Sequence, residues 1–178
     1  MSTGANLVPP RFNFQQVVRH LYLRSDYYEP FERYQPGTEY VTVVQPLLPL
    51  ATRVVREAFW THVQPLGAAV PMQGWKLHVS ATPGNARAIL ERVTRICVQA
   101  NVPFKFASDP FVLSLLLGKG CARGSSGKFM TLYPCDEQQA RTLLETLYGQ
   151  LKDFEGPYVL SDRRYRDCAV LYYRYGGF

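Results

Sequence analysis

The stretch GWKLHVSATPGNA, residues 74–86, places a lysine and a histidine two residues apart in an alternating pattern. Because apolar residues flank Lys76 and His78, the alternation predicts a strand over 74–80. Residues i and i+2 of a strand share one face, with roughly 7 Å between their Cα atoms. Burial or neighbouring cations can turn a lysine into a base, and a histidine can act as acid or base. The two side chains can therefore act together on one small reacting centre.

Further cations could hold an anionic group next to this pair. Lys105 lies in the alternating stretch VPFKFAS, and Arg123 and Lys128 flank the loop GSSG, whose open N–H groups could form a phosphate cradle. The strings SDRRYRD and YYRYGGF add Arg163, Arg164, Arg166 and Arg174. Together these residues suggest β-elimination of phosphate, with the cations neutralising the leaving group in place of a metal. Taken singly, each pattern also has an ordinary interpretation. A K-x-H pair is typical of solvent-facing strand residues, GSSG of a loop, and SDRRYRD of a solvated turn.

Composition is that of an ordinary globular domain. The chain has 178 residues, 47% of them hydrophobic and 19% charged, and its net charge of +6 suggests an anionic partner. No apolar run approaches the roughly 20 residues that span a bilayer, and the N-terminus does not resemble a secretory signal. The four cysteines form no C-x-x-C pair, so we expect reduced thiols, no metal site and a cytoplasmic location.

The order of elements predicts an α+β fold, with one mainly antiparallel sheet and helices packed on it. After a flexible lead-in over residues 1–12, we expect one domain over residues 13–178. Thr82 is a candidate N-cap, followed by Pro83. Apart from 74–80, strands are expected over 39–47, 102–108, 128–134 and within 156–178. A structured loop is expected over 24–40, and helices over 12–25, 48–67, 84–101, 109–120 (helix or turn) and 136–151. Strands 74–80 and 102–108 would form a crossover unit if they pair in parallel.

Four strings in series resemble the N-terminal lyase domain of class III and class IV lanthipeptide synthetases: WKLHVSATPGNARAILERV, VPFKFASD, RGSSGKFMTLYP and PYVLSDRRYRDCAVLYYRYGGF. The resemblance runs from the aromatic loop near Tyr27–Tyr34 to the last residue. The domain is also distantly similar to bacterial effector phosphothreonine lyases, whose strand carries a K-x-H pair. The resemblance implies a metal-independent lyase that needs no cofactor. It would eliminate phosphate from phosphoserine or phosphothreonine of a precursor peptide, giving dehydroalanine or dehydrobutyrine.

The resemblance also implies roles for single residues. Lys76 matches the general base and His78 the general acid, while Lys105 and Arg123 match phosphate-binding positions. Further phosphate or substrate contacts are implied for Lys128, Tyr133, Arg163, Arg164 and Arg174.

In the family that the chain resembles, a kinase and a cyclase follow the lyase. The kinase would need a nucleoside triphosphate and magnesium, and this sequence carries no G-x-G-x-x-G loop, V-A-I-K lysine or H-R-D motif. We therefore expect an excised domain whose partners are a phosphorylated precursor peptide and the kinase and cyclase of the same polypeptide. We expect no nucleic-acid or membrane partner.

Two alternatives stay open at this point. A host-directed phosphothreonine lyase would use the same chemistry, so the site residues do not distinguish it. A non-catalytic module that holds a phosphopeptide or a nucleic acid would fit the arginines. It would leave the K-x-H pair unexplained, and no RNP-type motif is present.

Overall fold

The computed structural model describes residues 34–178 and the backbone of residues 7–11. Eight strands form one sheet in the order β1-β2-β3-β5-β6-β4-β8-β7, and every neighbouring pair is antiparallel except β1 and β2. With helices packed on the sheet, this confirms the predicted α+β class. The strands are β1 (Leu7–Arg11), β2 (Arg53–Glu57), β3 (Trp60–Gln64), β4 (Gln73–Val79), β5 (Phe104–Ala107), β6 (Met130–Leu132), β7 (Arg163–Arg164) and β8 (Leu171–Gly177).

Three of the helices confirm predictions from apolar spacing: α2 (Ala86–Gln99), α3 (Pro110–Leu117) and α4 (Glu137–Leu151). The carboxylates of Asp109 and Asp136 accept hydrogen bonds from N–H groups in the first turns of α3 and α4, at 2.8 and 2.7 Å. Such N-caps fix where each helix begins. A fourth, short helix, α1 (Val41–Val44), runs into a 3₁₀ turn over Gln45–Leu47.

The two faces of the sheet differ in chemistry because side chains alternate along each strand. Trp75, Leu77 and Val79 of β4 share one face, where α4 packs on β4 and β8 and α2 packs beside α4. Buried residues of α2 and α4 join those of the strands in a single apolar core. Lys76 and His78 point to the opposite face, which we call the site face.

The predicted crossover unit exists, but its two strands do not pair. β4 and β5 run in the same direction, because each is antiparallel to β6, which lies between them. This inserted strand brings Lys105 and His78 to either side of Thr131.

Two predictions of local structure are wrong. Residues 48–67 form the β2–β3 hairpin instead of a helix; their apolar spacing suited both structures, and the β-branched and aromatic residues pack against β5. Residues 39–47 form α1 and the 3₁₀ turn instead of a strand. There the burial of Tyr40, Val41 and Val44, spaced as on a helix, overrides the strand preference of valine.

Smaller differences lie at element ends. Helix α2 is capped at Asn85 instead of Thr82, because Thr82 lies in the preceding turn, where its carbonyl accepts from the N–H groups of Asn85 and Ala86. Within the predicted lead-in, Leu7–Arg11 forms an edge strand, and its two prolines lie where the register against β2 shifts, a position that a sheet tolerates. The predicted helix over 12–25 and most of the predicted loop over 24–40 lie outside the described residues. Over 156–178, the predicted strand, turn and strand are confirmed, although β7 has only two residues.

In the part of the chain that the structure describes, none of the helices has the length and apolarity needed to cross a membrane.

Candidate functional site

A row of paired residues crosses the site face. His78 of β4 is opposite Thr131 of β6, which is opposite Lys105 of β5. On its other side, His78 is opposite Tyr172 of β8, which is opposite Arg164 of β7. Neighbouring strands lie about 4.8 Å apart, so the backbones of His78 and Lys105 are separated by roughly 10 Å, within reach of one substrate group.

A second pair lies one step along the same strands. Lys76 is opposite Arg174 of β8 and shares the site face with His78. The Lys76 ammonium donates to the carbonyl of Gly177 and lies 5.5 Å from the centre of the Phe178 ring. The i, i+2 arrangement that the sequence predicted for Lys76 and His78 is therefore present.

One buried carboxylate, that of Asp162, connects His78 with two further cations. The Asp162 side chain is fully buried, and its Oδ2 contacts Nδ1 of His78. Its Oδ1 lies 3.1 Å from Nζ of Lys128 and 3.6 Å from Nε of Arg174. Since the carboxylate contacts Nδ1, the other ring nitrogen of His78, Nε2, is the one available to a substrate.

The segment before β7 carries Asp162 to the site face. Gly127, with φ of +76°, lies against the carbonyl of Tyr158, a conformation and an approach that suit glycine. At Gly156, a Cβ would come within 2.8 Å of both Ser80 Oγ and Val170. These two close approaches hold residues 156–162 down on the sheet, and they place Asp162 beside Lys128.

Burial shifts the protonation of the two central residues. The pKa of His78 is lowered to about 4 by burial, against the effect of Asp162 and with the help of the charges on Lys128 and Arg174. Burial also lowers the pKa of Lys76, Arg174 adds to this, and Asp162 opposes it. For Asp162, burial alone would raise the pKa, but His78 and Lys128 hold it well below its ordinary value. In the resting protein His78 is therefore neutral and Asp162 is charged.

Two more lysines have lowered pKa values. Burial lowers the pKa of Lys105 to about 8; Glu57 opposes the shift, and Lys76 and Lys128 add to it. The Lys105 ammonium lies 4.6 Å from the centre of the Trp60 ring. Burial also lowers the pKa of Lys128 to about 8, although Asp162 opposes this. A fraction of each lysine is therefore neutral near physiological pH and able to accept a proton.

The remaining predicted site residues differ in position. Tyr133 lies near Arg174: burial raises the pKa of its phenol and the Arg174 charge opposes this. Arg164 continues the His78 row at the sheet edge and is exposed. Arg163 is opposite Tyr173, whose ring contacts Trp75 on the helix side, so the sheet does not bring Arg163 to the site face. Arg123 is exposed in the turn before Lys128, and its predicted phosphate contact stays a prediction.

Asp162 is the residue that sequence reasoning missed. Its only signal in the sequence is a single carboxylate directly before two arginines in SDRR, and a role was predicted only for the arginines. Among the described residues, no group of three or more His, Cys, Asp or Glu side chains could hold a metal ion.

Comparison with known proteins identifies the family of the chain. The sequence profile of the family described as RamC, N-terminal domain, matches residues 41–178. A protein named probable SapB synthase from Streptomyces coelicolor is 43% identical over 119 residues. That match covers 67% of this chain but only 13% of the relative, so the chain spans a small part of that protein's length.

Solved structures show the same fold at low identity. The type III effector and phosphothreonine lyase OspF from Shigella flexneri superposes with a TM-score of 0.58 at 18% identity, covering 84% of this chain and 82% of its own. The Salmonella plasmid virulence C protein, SpvC, gives 0.56 at 17% identity over 79% and 74%. The effector VirA from Chromobacterium violaceum gives 0.53 at 16% identity over 88% and 75%. The fold is therefore that of the phosphothreonine lyases, as the sequence predicted, and the chain belongs to the RamC N-terminal domain family.

Proposed function

We propose that this chain is a phosphoserine/phosphothreonine lyase of lanthipeptide biosynthesis. The observation that carries the proposal is a charge imbalance on the site face. Lys128 and Arg174 are within ion-pair distance of one carboxylate, that of Asp162, and Lys76 interacts electrostatically with the same carboxylate. A phosphate dianion bound among them would balance the remaining positive charge and be stabilised in a largely buried setting.

The proposed reaction is a β-elimination. A neutral lysine removes the proton from Cα of the phosphorylated residue, the Cα–Cβ double bond forms, and the Cβ–O bond breaks. The phosphate leaves with the electron pair of that bond and takes a proton from Nε2 of His78. Phosphoserine would give dehydroalanine, and phosphothreonine would give dehydrobutyrine. The cations of the site would stabilise the leaving phosphate, and we propose that no metal or other cofactor is required.

Two lysines are candidates for the base. The sequence predicted Lys76, and its position beside His78 on the site face supports that role. The structure adds Lys105 as a second candidate: its pKa is about 8, and no carboxylate is in ion-pair contact with its ammonium among the described residues. In that case Lys76 would bind the phosphate and keep the charge near Lys105 positive.

Matched variants test the proposal and separate the two bases. We would measure turnover of a synthetic phosphothreonine peptide by Lys76→Ala, Lys105→Ala and His78→Ala, with and without added primary amines. The variant that lacks the base should turn over the peptide at least about 100-fold more slowly than wild type, because general-base catalysis contributes roughly 10²–10⁴-fold. Small amines should restore part of that rate. Wild-type turnover by Lys76→Ala would overturn the prediction for Lys76, and wild-type turnover by all three variants would overturn this set of site residues. If the unmodified chain does not eliminate phosphate from the peptide, the lyase proposal itself is wrong.

The substrate and partners are also part of the proposal. Family membership supports a phosphorylated precursor peptide, with a kinase and a cyclase of the same polypeptide acting before and after this domain. The three effector structures compared above share the fold with this chain at only 16–18% sequence identity. We therefore favour the biosynthetic role over a host-directed lyase.

A further inference from the structure

Next to Lys76 the site face has a floor without side chains. Gly74 of β4 and Gly176 of β8 are opposite each other, one step along from the Lys76–Arg174 pair. A Cβ placed on Gly176 would have within 4 Å only Cε and Nζ of Lys76 among the described residues, both at 4.0 Å and beyond its chain neighbours. Apart from this van der Waals contact with Lys76, nothing in the part of the chain that the structure describes lies over Gly176.

An aromatic wall borders this floor. The Cζ atom of Phe178 lies 3.0 Å from the position that a Cβ on Gly74 would take, so the ring covers the Gly74 half of the floor. The edge of the ring packs against Tyr133 with 5.3 Å between the ring centres. Phe178 is still 38% exposed, so part of its apolar surface is available beside Gly176 and the Lys76 side chain.

Met72 extends the apolar surface. Its carbonyl accepts the Phe178 N–H at 3.1 Å, and its side chain is 94% exposed. Met72 lies in the bend directly before β4, and this hydrogen bond places it next to Phe178. Apolar groups at the edge of a cationic site have a specific effect: a substrate side chain that packs on them excludes water and strengthens the nearby charge interactions.

Building on the proposed function, we propose that Phe178 and Met72 bind the side chain directly next to the phosphorylated residue and select an apolar one. The Gly176 floor is one two-residue step, roughly 7 Å, from Lys76, a distance that the neighbouring residue of an extended peptide reaches with its side chain. Since the wall lies on one side of Lys76 only, the selection applies to one neighbour of the phosphorylated residue and not to both.

Four phosphothreonine peptides test this inference, carrying leucine or lysine on either the N-terminal or the C-terminal side of the phosphothreonine. For wild type we expect kcat/KM to be about tenfold higher with leucine than with lysine at one of the two sides, and similar values at the other. Met72→Glu should reverse the preference at that same side, because the new carboxylate attracts lysine. Leu66→Glu is the matched control: it adds the same charge at an exposed leucine in the preceding loop.

The outcomes separate this inference from the function on which it rests. If wild type converts all four peptides with equal kcat/KM, or if Met72→Glu and Leu66→Glu change the preference equally, the inference is wrong and the lyase function stands. If a preference for leucine occurs equally on both sides, it reflects general peptide hydrophobicity and the inference is also wrong. If none of the peptides is converted, both the lyase proposal and this inference fail.

Discussion

At the scale of single residues, the acid of the proposed reaction, His78, has to take up its proton when the substrate binds. His78 is neutral in the resting protein because burial lowers its pKa to about 4. A phosphate dianion near Nε2 favours the imidazolium and so raises this pKa. Binding of phosphate should therefore be accompanied by uptake of a proton at His78.

This linkage predicts two different pH profiles. Because kcat/KM reports the free enzyme and kcat the complex, the limb caused by His78 should lie at higher pH in kcat than in kcat/KM. A titration of the imidazole by nuclear magnetic resonance, with and without inorganic phosphate, should show the same upward shift directly. An unchanged His78 pKa at saturating phosphate would contradict this role for the residue.

We expect Lys105 to lower the free energy of unfolding. Its folded pKa of about 8 lies below the value of 10.5 for a free lysine, so the ammonium is disfavoured in the folded state at neutral pH. Replacing Lys105 by methionine keeps most of the apolar stem, and it should raise the free energy of unfolding by on the order of 1–3 kcal/mol at pH 7.

The sign of this effect can be checked by pH. The cost of Lys105 in the wild type is fully present below about pH 8 and disappears as the pH rises from 8 toward 10.5. The stability gained by Lys105→Met, measured by urea unfolding, should therefore shrink over that range, while turnover is lost at every pH. A variant that is less stable than wild type at pH 7 would show that the ammonium contributes more than its burial costs.

Sequence reasoning succeeded at this scale where spacing alone decides the geometry. Residues two apart on a strand must share a face, so the Lys76–His78 arrangement could be predicted. Asp162 could not be, because its meeting with His78 and Lys128 depends on how residues 156–162 cross the sheet.

At the scale of elements, the segment over residues 156–162 should be as important for the site as the strands. Asp162→Asn keeps the shape but removes the charge that balances Lys128 and Arg174. Breaking a buried ion pair in this way costs about 3–5 kcal/mol, and it should also impair turnover, because His78 loses the group that orients its ring.

A matched control is available a few residues further on. Asp167 is exposed and accepts a hydrogen bond from the Tyr148 hydroxyl at 2.7 Å, so Asp167→Asn makes the same chemical change outside the site. We expect that variant to unfold at nearly the same urea concentration as wild type and to keep its turnover. Equal losses in the two variants would mean that Asp162 has no special place in the site.

The elements themselves were predictable where a cap and a single period agreed. Helix α4 has Asp136 directly before a helical apolar pattern, and its bounds were close to those predicted. The β2–β3 hairpin was not predictable, because Val54, Phe59 and Val63 suit helix spacing as well as strand burial. Only the pairing of β3 with β5, which is distant in sequence, decides between the two.

At the scale of the whole molecule, one antiparallel sheet gathers residues from distant parts of the chain onto a single face. Lys76, Lys105, Lys128 and Arg174 lie on four different segments, and the strand order β5-β6-β4-β8 brings them together. The strand order could not be predicted from local patterns. The resemblance of four strings to one family nevertheless led to the correct family and fold, because it draws on the complete arrangement.

The central claim is that this protein eliminates phosphate instead of hydrolysing it or only binding it. The most direct test is mass spectrometry of a singly phosphorylated threonine peptide incubated with the chain and EDTA, followed by addition of a thiol. We expect the peptide to lose the mass of phosphoric acid and the product to add one thiol, as dehydrobutyrine does. A peptide that instead loses only the elements of HPO₃, returns to threonine and adds no thiol would contradict the claim, as would a peptide that stays phosphorylated.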